Sequence, residues 1–396
     1  MKKYLLLSLS IIGMMSCLPS PQPEAVHPSL PIANIHADYP QKQMDVSTLA
    51  EVVYIPLPRE LFVESHSYYN AFHGCISEDW IMPYSAEGDV EIFDHQGMKV
   101  GRFNRQGYTD EEYPYIFSLF FEKDNQEIWI QATSQQFKIY GLDGKLKRSI
   151  TLPHKLNAAA MADYSRDSLL CYDDEWVSDG LNKNPYPFYL LSKKDGGVQK
   201  LTSIRVSQRL NNEERFALNL GGVSQVIRYI IETSPMAVCN GKAILADYAK
   251  DTVFSYLQGK TTPLFVRKPS VFASLPFILT SIDLMTDQFL LFSFIEKAQA
   301  KEHFQRNLLY DFKEEEIYSY QLVNLDFQPA LEVRTNAANG NYPSNWLANE
   351  MTTDRFLQYH REGKLKGKAA KVATKIKRTD TSVLILYKFH DEPTNR

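Results

Sequence analysis

The chain lacks the residue patterns on which most metal and nucleophile chemistry depends. Its 396 residues include only four cysteines and nine histidines, with no Cys-x-x-Cys pair and no His-Glu-x-x-His motif. These absences argue against a zinc site of either the structural or the protease type. The chain also has no G-x-S-x-G nucleophile elbow, no G-x-x-x-x-G-K-[ST] phosphate loop, and no Ser–Lys or Cys–His signature. We therefore predict no metal, no cofactor and no catalytic residue set.

Positive charge is also not in excess. The formal net charge is −4, which argues against a general nucleic-acid partner. The one long apolar run, which is short for a transmembrane helix, lies at the extreme N-terminus. No other run is long enough to span a bilayer. We expect a monomer that contacts the membrane through an anchor alone.

The N-terminus has the pattern of a bacterial export signal. "MKKYLLLSLSIIGMMSC" places two lysines before an apolar stretch, which ends in small residues and Cys17. "MMSC" resembles a lipobox, so residues 1–16 are predicted to be a lipoprotein signal peptide and Cys17 the lipidated residue. The proline-rich segment that follows predicts a stiff tether over residues 17–44. Leu18 after the cysteine resembles outer-membrane sorting, and the periplasmic side is favoured over the cell surface.

The three other cysteines do not form a disulfide framework. An odd number cannot all pair, even in an oxidising compartment. Each stands in or beside an apolar stretch: "GCIS", "LLCYD" and "AVCNG". We predict that Cys75, Cys171 and Cys239 are buried free thiols.

What the chain does have is aromatic and β-branched sequence with an internal repeat. It contains 23 Tyr and 22 Phe, which favours sheet. A strand, a polar turn and a second strand recur in "EIFDHQGMKVGRF", "KIYGLDGKLKRSI" and "YLLSKKDGGVQKL", with weaker copies after them. The matching strand positions, spaced 47 to 63 residues apart, are Ile92, Ile139, Leu190, Val253 and Leu309. Two short strands precede each copy, so the pattern predicts five four-stranded propeller blades.

A sixth blade is split between the chain ends. "AEVVYIPLP" at 50–58 is a lone N-terminal strand, and "SVLILYKFH" at 382–390 is a strong C-terminal strand. Their pairing would close the ring and remove an open sheet edge. Residues 349–379 predict a small helical insertion, with Thr353 as the cap of its first helix. The predicted fold is all-β: a six-bladed β-propeller over residues 45–396 whose last blade is closed by N- and C-terminal strands.

Four segments carry a family resemblance. They are "EVVYIPLP", "GRFNRQG" followed by "EEY", "DYAKDTVFSYLQGKTTPLFVRK", and the helical insertion before "TSVLILYKF". Together they resemble the six-bladed β-propeller lipoproteins of Gram-negative gut-type bacteria. The resemblance implies a six-bladed propeller fold, but it implies no reaction. One departure concerns the first corner, which in the family is richer in glycine. Here only Gly107 and the Glu112–Tyr113 pair keep that pattern.

The candidate site residues follow from propeller topology. Loops that join strand D to the next A, and B to C, surround one mouth of the central channel, where propeller ligands usually bind. The corner "GRFNRQGYTDEEYPYIF" is a D–A loop, in which we expect Tyr113 and Tyr115 to pack inward and residues 110–112 to face solvent. Acids beside an aromatic side chain suit a sugar or a peptide. The candidate ligand-binding residues are Arg105, Tyr108, Asp110, Glu111, Glu112, Asp173, Asp174, Trp176, Arg209, Asp247 and Lys250.

Each candidate also has a structural interpretation. The 172–188 loop, which carries Trp176, can be a solvated loop, and the arginines of 205–228 can pair with local acids. Asp247 in "DYAKDT" can form an Asx turn. We therefore favour a non-catalytic, lipid-anchored envelope module that binds a glycan, a peptide or a protein partner. The alternatives are a glycan lyase or hydrolase that uses acids at the channel mouth, and a structural scaffold.

Overall fold

The computed structural model describes residues 30–64, 70–153, 156–174, 184–220, 223–298, 304–335 and 342–390. Within these ranges no helix is long and apolar enough to cross a membrane. The signal peptide, Cys17 and Trp176 lie outside the described residues.

The N-terminal segment supplies strands to several blades. Its elements are β1 (Ile32–Asn34), β2 (Gln41–Asp45), the short helix α1 (Val46–Leu49), β3 (Ala50–Leu57), β4 (Phe62–Glu64) and β5 (Asn70–Phe72). β1 pairs in parallel with the outer strand of blade 4, and β2 pairs in parallel with the outer strand of blade 5. Residues 30–44, which the sequence analysis places in the tether, thus include two strands.

Five antiparallel blades follow in chain order. Blade 1 comprises β6 (Gly74–Ile76), β7 (Ile81–Pro83), β8 (Asp89–Phe93) and β9 (Lys99–Asn104). Blade 2 comprises β10 (Ser118–Glu122), β11 (Glu127–Gln131), β12 (Gln136–Gly141) and β13 (Leu146–Thr151). Blade 3 comprises β14 (Ala160–Ser165), β15 (Ser168–Tyr172), β16 (Phe188–Ser192) and β17 (Val198–Lys200).

A long hairpin, β18 (Glu213–Leu220) and β19 (Val223–Ile230), separates blades 3 and 4. Blade 4 comprises β20 (Met236–Cys239), β21 (Lys242–Leu245), β22 (Thr252–Leu257) and β23 (Lys260–Lys268). After a 3-10 turn at Val271–Ala273, blade 5 comprises β24 (Ile278–Met285), β25 (Phe289–Glu296), β26 (Gln305–Asp311) and β27 (Glu316–Asn324), with β28 (Leu331–Glu332) paired to β27. The sequence analysis treated the hairpin as a plain connector.

Blade 6 closes the ring as predicted. It contains β29 (Trp346–Thr352) and β30 (Ser382–Phe389), and β3 pairs antiparallel with β30 from Ala50 against Phe389 to Leu57 against Ser382. The five repeat positions from Ile92 to Leu309 all fall on the third strand of their blades. The six-bladed β-propeller of four-stranded blades is confirmed.

The insertion between β29 and β30 forms two helices, α2 (Thr353–Arg361) and α3 (Gly367–Ala373). The prediction that Thr353 caps the first helix was wrong by one residue. The Thr352 hydroxyl accepts a hydrogen bond from the Arg355 N–H, whereas Thr353 is buried. Phe356 of α2 packs on Tyr54 of β3, so the helices cover the outer part of blade 6.

In blades 1 to 3, a glycine at the turn between the third and fourth strands lies close to the blade before it. Gly97, Gly144 and Gly196 have φ of +77°, +70° and +77°. A Cβ at these positions would lie 2.0 Å from Pro56 O, 2.7 Å from Phe103 Cβ and 2.6 Å from Ile150 Cγ2, respectively. The left-handed backbone and this close approach both require glycine.

The core lies between neighbouring blades. Between blades 3 and 4, for example, Tyr172 and Phe188 are buried against Met236 and Leu245. The three described cysteines, Cys75, Cys171 and Cys239, are free and buried in these layers, and burial raises the pKa of the Cys75 thiol to about 12. Each blade therefore buries one sheet face against each neighbour, which leaves its first strand to line the central channel.

Candidate functional site: the central channel

A cavity of about 590 Å³ occupies the central channel. The first strands of blades 1 to 5 line it, together with the D–A segments that lead into blades 3, 4 and 6. This volume lies in the range of ordinary ligand sites. The channel is therefore the candidate functional site of the described chain.

Aromatic and apolar side chains lie at one mouth of the cavity. Phe117 lines the cavity and is 48% exposed, and its ring meets that of Tyr115 in a T-shaped contact with centroids 6.3 Å apart. Tyr115 is 59% exposed, so the expectation that it packs inward was wrong. Ile230, at the end of the β18–β19 hairpin, is also half exposed and lines the cavity. An apolar rim of this kind suits the face of a ligand that enters from solvent.

The described lining has more acidic groups than basic ones. It contains the carboxyl groups of Glu78, Asp163, Asp174, Glu213 and Asp283 and the single ammonium group of Lys123. Lys123 forms an ion pair with Glu78. The channel thus favours a neutral or cationic ligand over an anionic one.

Like Glu78, two more of these carboxyl groups have partners in the protein. Asp163 lies 2.8 Å from the Lys193 ammonium, which also binds the fully buried Glu122 at 3.0 Å. Burial raises the pKa of Asp163 despite this partner. Asp174 accepts a hydrogen bond from the Asn157 side-chain amide. Neither group is set up as a lone acceptor for a ligand.

Asp283 differs, because one of its carboxylate oxygens has no well-formed hydrogen bond. Its Oδ1 accepts a hydrogen bond of 3.0 Å from the Ser281 hydroxyl, whereas its Oδ2 is buried without a hydrogen bond of regular geometry. The Ser293 hydroxyl, which is buried and also lacks such a bond, lies close enough to lower the pKa of Asp283. The residue is 7% exposed and lines the cavity. Burial raises the pKa of Asp283 to about 7.

A β-bulge places Asp283 at this position. In blade 5, Ile282 pairs with Phe292 and Leu284 pairs with Leu291, so Asp283 is the extra residue of the first strand. Bulges redirect side chains and are frequent beside functional sites. A second bulge lies at Tyr164 in the first strand of blade 3.

Two further groups belong to this side of the channel. Glu232 precedes blade 4, and burial raises its pKa to about 7. Tyr342 lines the cavity, and its hydroxyl pKa is raised, first by burial and then by the charges of Asp283 and Glu232. The sequence analysis missed all three residues. The available signal was a single acid within the apolar strand "FILTSIDLM".

Residues 105–113 of the predicted D–A corner lie away from this cavity, whereas Phe117 at the end of the corner lines it. The main-chain carbonyls of Asp110 and Glu111 accept hydrogen bonds from Lys138 and Tyr140, which belong to the third strand of blade 2. Asp110 and Glu111 are exposed, as expected, and Tyr108 is 89% exposed. None of them is among the residues that line the channel cavity, so the structure does not bring these predicted ligand residues to the candidate site.

The rest of the corner stabilises its own loop. The Glu112 carboxylate accepts a hydrogen bond from the Thr109 N–H, which is the main reason its pKa is lowered. A Cβ on Gly107 would lie 2.0 Å from Glu112 Oε2, so glycine leaves room for this carboxylate. Tyr113 is fully buried, as predicted, and its hydroxyl donates to Gly88 O and accepts from the Arg105 N–H.

Two other candidates, Arg209 and Asp247, form a buried cluster with Tyr172 between blades 3 and 4. Asp247 is fully buried and accepts a hydrogen bond from the Tyr172 hydroxyl at 3.0 Å. The Arg209 side chain, 3% exposed, lies 3.9 Å from Asp247 and donates to the main-chain carbonyl of Asp173. These residues therefore hold the protein together rather than present groups to a ligand. Asp247 also accepts from the Ala249 N–H, which is the Asx turn given above as the alternative.

The remaining candidates have separate positions. Asp173 is buried and binds the Asn184 amide, and the Arg105 guanidinium binds the main-chain carbonyl of Gly144. Lys250 is partly exposed beside the Asp247 turn. Of the eleven candidates, Asp174 is the one that the described cavity lining includes. The described residues contain no group of three or more His, Cys, Asp or Glu side chains placed to hold a metal ion.

Comparisons with known proteins agree with this architecture. Residues 29–214 match the DUF5128 family, described as "6-bladed beta-propeller". The crystal structure of a Bacteroides fragilis protein, provisionally described as exported, aligns with a TM-score of 0.55 and 12% identity over 91% of this chain and 99% of that chain. No curated protein matches.

More distant propellers also align. The N-terminal domain of Nup159 gives a TM-score of 0.42 at 8% identity, over 82% of this chain and 77% of that chain. BamB from Moraxella catarrhalis gives 0.33 at 8% identity, over 81% and 86%. At these scores the two alignments add nothing to the argument. The chain is therefore a six-bladed β-propeller that is similar over residues 29–214 to the DUF5128 domain family.

Proposed function

We propose that the protein is a non-catalytic binding module of the cell envelope that takes a basic peptide segment of a partner protein into its central channel. The observation that carries this proposal is the open cavity of about 590 Å³ with five carboxyl groups and one ammonium group in its described lining. Such a lining repels anionic glycans and acidic peptides. The half-exposed rings of Tyr115 and Phe117 offer apolar contact at the mouth.

The location of the module follows from its N-terminal sequence. We propose that Cys17 carries lipid and anchors the protein in the outer membrane, on the periplasmic side, as the "MMSC" pattern and the following leucine indicate. The provisional description of the Bacteroides fragilis protein as exported agrees with this proposal. Labelling of cells with radioactive palmitate tests it. The wild-type protein should take up label and Cys17→Ser should not.

A peptide and glycan array with the full chain tests the binding proposal. We expect lysine- and arginine-containing peptides to bind and acidic peptides and anionic glycans to fail. Phe117→Ala should weaken the peptide hits about tenfold or more, since it removes a ring at the cavity mouth. Tyr108→Ala is the matched control, because Tyr108 is an exposed aromatic residue on the corner away from the cavity. Hits confined to neutral glycans, or no hit at all, would refute the proposal.

An enzyme is the second candidate, and a specific observation supports it. Burial raises the pKa values of Asp283, which lines the cavity, and of Glu232 to about 7, and the charges of both act on Tyr342. Acids with such pKa values are suited to general acid–base work in glycan hydrolysis or elimination. Incubation with a glycan panel and product analysis by mass spectrometry tests this. Turnover that disappears in both Asp283→Asn and Glu232→Gln would replace the binding proposal.

A further inference from the structure

The channel wall contains a buried acceptor that the described protein leaves unused. Asp283 Oδ2 is buried without a hydrogen bond of regular geometry, although the residue lines the cavity. An unpaired buried carboxylate oxygen costs free energy, about 1–3 kcal/mol or more when it is charged. A ligand donor at this oxygen would recover that cost.

The acceptor is held in place. Ser281, which binds the other oxygen of Asp283, itself accepts a hydrogen bond of 3.0 Å from the Ser234 N–H at the start of blade 4. The neighbouring Ile282 N–H donates to Ser234 O at 2.8 Å. The bulged strand is thus fixed to the start of blade 4 by the two residues that directly precede Asp283. A rigid acceptor loses little entropy when a ligand binds.

The groups around this carboxyl are acids, hydroxyls and phenols. Tyr342 and Tyr320 both interact electrostatically with Asp283, and Glu232 acts on Tyr342. Ser293 lies on the paired strand and is fully buried. Burial raises the pKa of Asp283, and the hydroxyls of Ser293 and Ser281 lower it. No cation contributes to this pKa. A neutral donor would therefore leave the negative charge of Asp283 uncompensated, whereas a cationic donor would compensate it.

We propose that Asp283 is the anchor for a primary ammonium group, such as that of a lysine side chain, on the ligand that enters the channel. The proposal deepens the binding function given above and rests on it. An ammonium group supplies N–H donors for Oδ2 and a positive charge between Asp283 and Glu232. A guanidinium group is bulkier and planar, so arginine is expected to bind less well at this enclosed position.

Three probes of equal length test the anchor: hexylamine, 1-hexanol and hexanoate. Isothermal titration calorimetry uses the full chain in mild detergent. We expect hexylamine to bind in the millimolar range, 1-hexanol to bind at least tenfold more weakly, and hexanoate not to bind. Asp283→Asn keeps the shape and should reduce hexylamine affinity at least tenfold, to the level of 1-hexanol. Asp110→Asn removes an exposed acid and should leave the affinity unchanged.

The pH dependence supplies a second readout. The ammonium remains protonated up to about pH 10, whereas the buried acid ionises near pH 7. Affinity for hexylamine should therefore rise about tenfold from pH 6 to pH 8, with release of protons, and Asp283→Asn should reduce that rise to the part that Glu232 contributes. If the asparagine variant does not fold, as judged by circular dichroism, Glu232→Gln takes its place with a smaller expected loss.

Several results would overturn the anchor. One is that hexylamine and 1-hexanol bind equally well, and another is that folded Asp283→Asn binds hexylamine with unchanged affinity. A third is that hexylamine affinity does not change with pH. The last is that no hexylamine binding is detected at about 20 mM, which is 20-fold above a dissociation constant of about 1 mM. Peptide-array hits that persist in Asp283→Asn would refute the anchor and leave channel binding intact. An array without hits would instead refute the function on which the anchor rests.

Discussion

Replacement of Asp283 by asparagine should make the stability of the protein less sensitive to pH. Burial raises the pKa of this carboxyl to about 7 in the folded protein, whereas an aspartate in an unfolded chain titrates near 3.9. Between these values the folded state retains a proton that the unfolded state has released. The stability of the wild-type protein therefore falls as pH rises through this window, and asparagine removes that contribution.

The size of the effect follows from the width of the window. Within the range from pH 5 to pH 8, about two pH units lie between the unfolded and folded pKa values. Each of these pH units changes the free energy of unfolding by about 1.4 kcal/mol. The free energy of unfolding of Asp283→Asn minus that of the wild type should thus increase by about 2.5 kcal/mol from pH 5 to pH 8. Above pH 8 the difference should stay constant.

Urea unfolding followed by tryptophan fluorescence measures this difference at pH 5, 6, 7 and 8. The comparison of variant with wild type cancels groups that titrate equally in both proteins. Asp110→Asn, at an exposed position, should show a pH-independent difference close to zero. A wild-type-minus-Asp283→Asn difference that is flat between pH 5 and pH 8 would refute the assignment of a buried, unsatisfied acid.

Three further substitutions test the packing around the predicted site residues. Gly107→Ala should destabilise the protein by about 1–2 kcal/mol, measured by thermal unfolding, because the new Cβ would meet the Glu112 carboxylate. The double variant with Glu112→Ala should recover part of this loss. If the losses of the two single variants simply add in the double variant, the contact is contradicted. Arg209→Ala should cost about 3–5 kcal/mol, since it leaves Asp247 buried without its cation; in the double variant with Asp247→Asn a smaller loss is expected, and an equal one would argue against the pairing. Tyr113→Phe should cost about 1–2 kcal/mol through the hydrogen bonds of its hydroxyl, and an unchanged melting temperature would show that they contribute little.

The repeat could be predicted from the sequence because it depends on local signals. Turn glycines such as Gly97 and Gly144 need a left-handed backbone, and the strands beside them alternate or are continuously apolar. These signals located the third strand of each of the five repeats. The pairing of β3 with β30 could be predicted because a ring leaves no other place for two unmatched strands.

The site could not be predicted in the same way, because it depends on the direction in which individual side chains point. Whether Asp283 faces the channel is decided by a one-residue bulge that only the pairing with β25 reveals. Likewise, Arg209 and Asp247 are charged residues that usually lie on surfaces, and their burial follows from the contact between blades 3 and 4. The polar corner at residues 105–113 was placed in the right loop, but sequence alone did not show that it turns outward.

The pairing of the N-terminal strands with later parts of the chain affects the order in which the protein folds. β1 pairs with β23, β2 with β27 and β3 with β30, so all three partners come from residues 260–389. During synthesis β1 therefore has no partner until residues 260–268 have been made, β2 until residues 316–324, and β3 until residues 382–389. Contacts between such distant segments slow folding. A nascent chain that stops before residue 382 leaves β3 unpaired, so the ring closes only after β30 has been made.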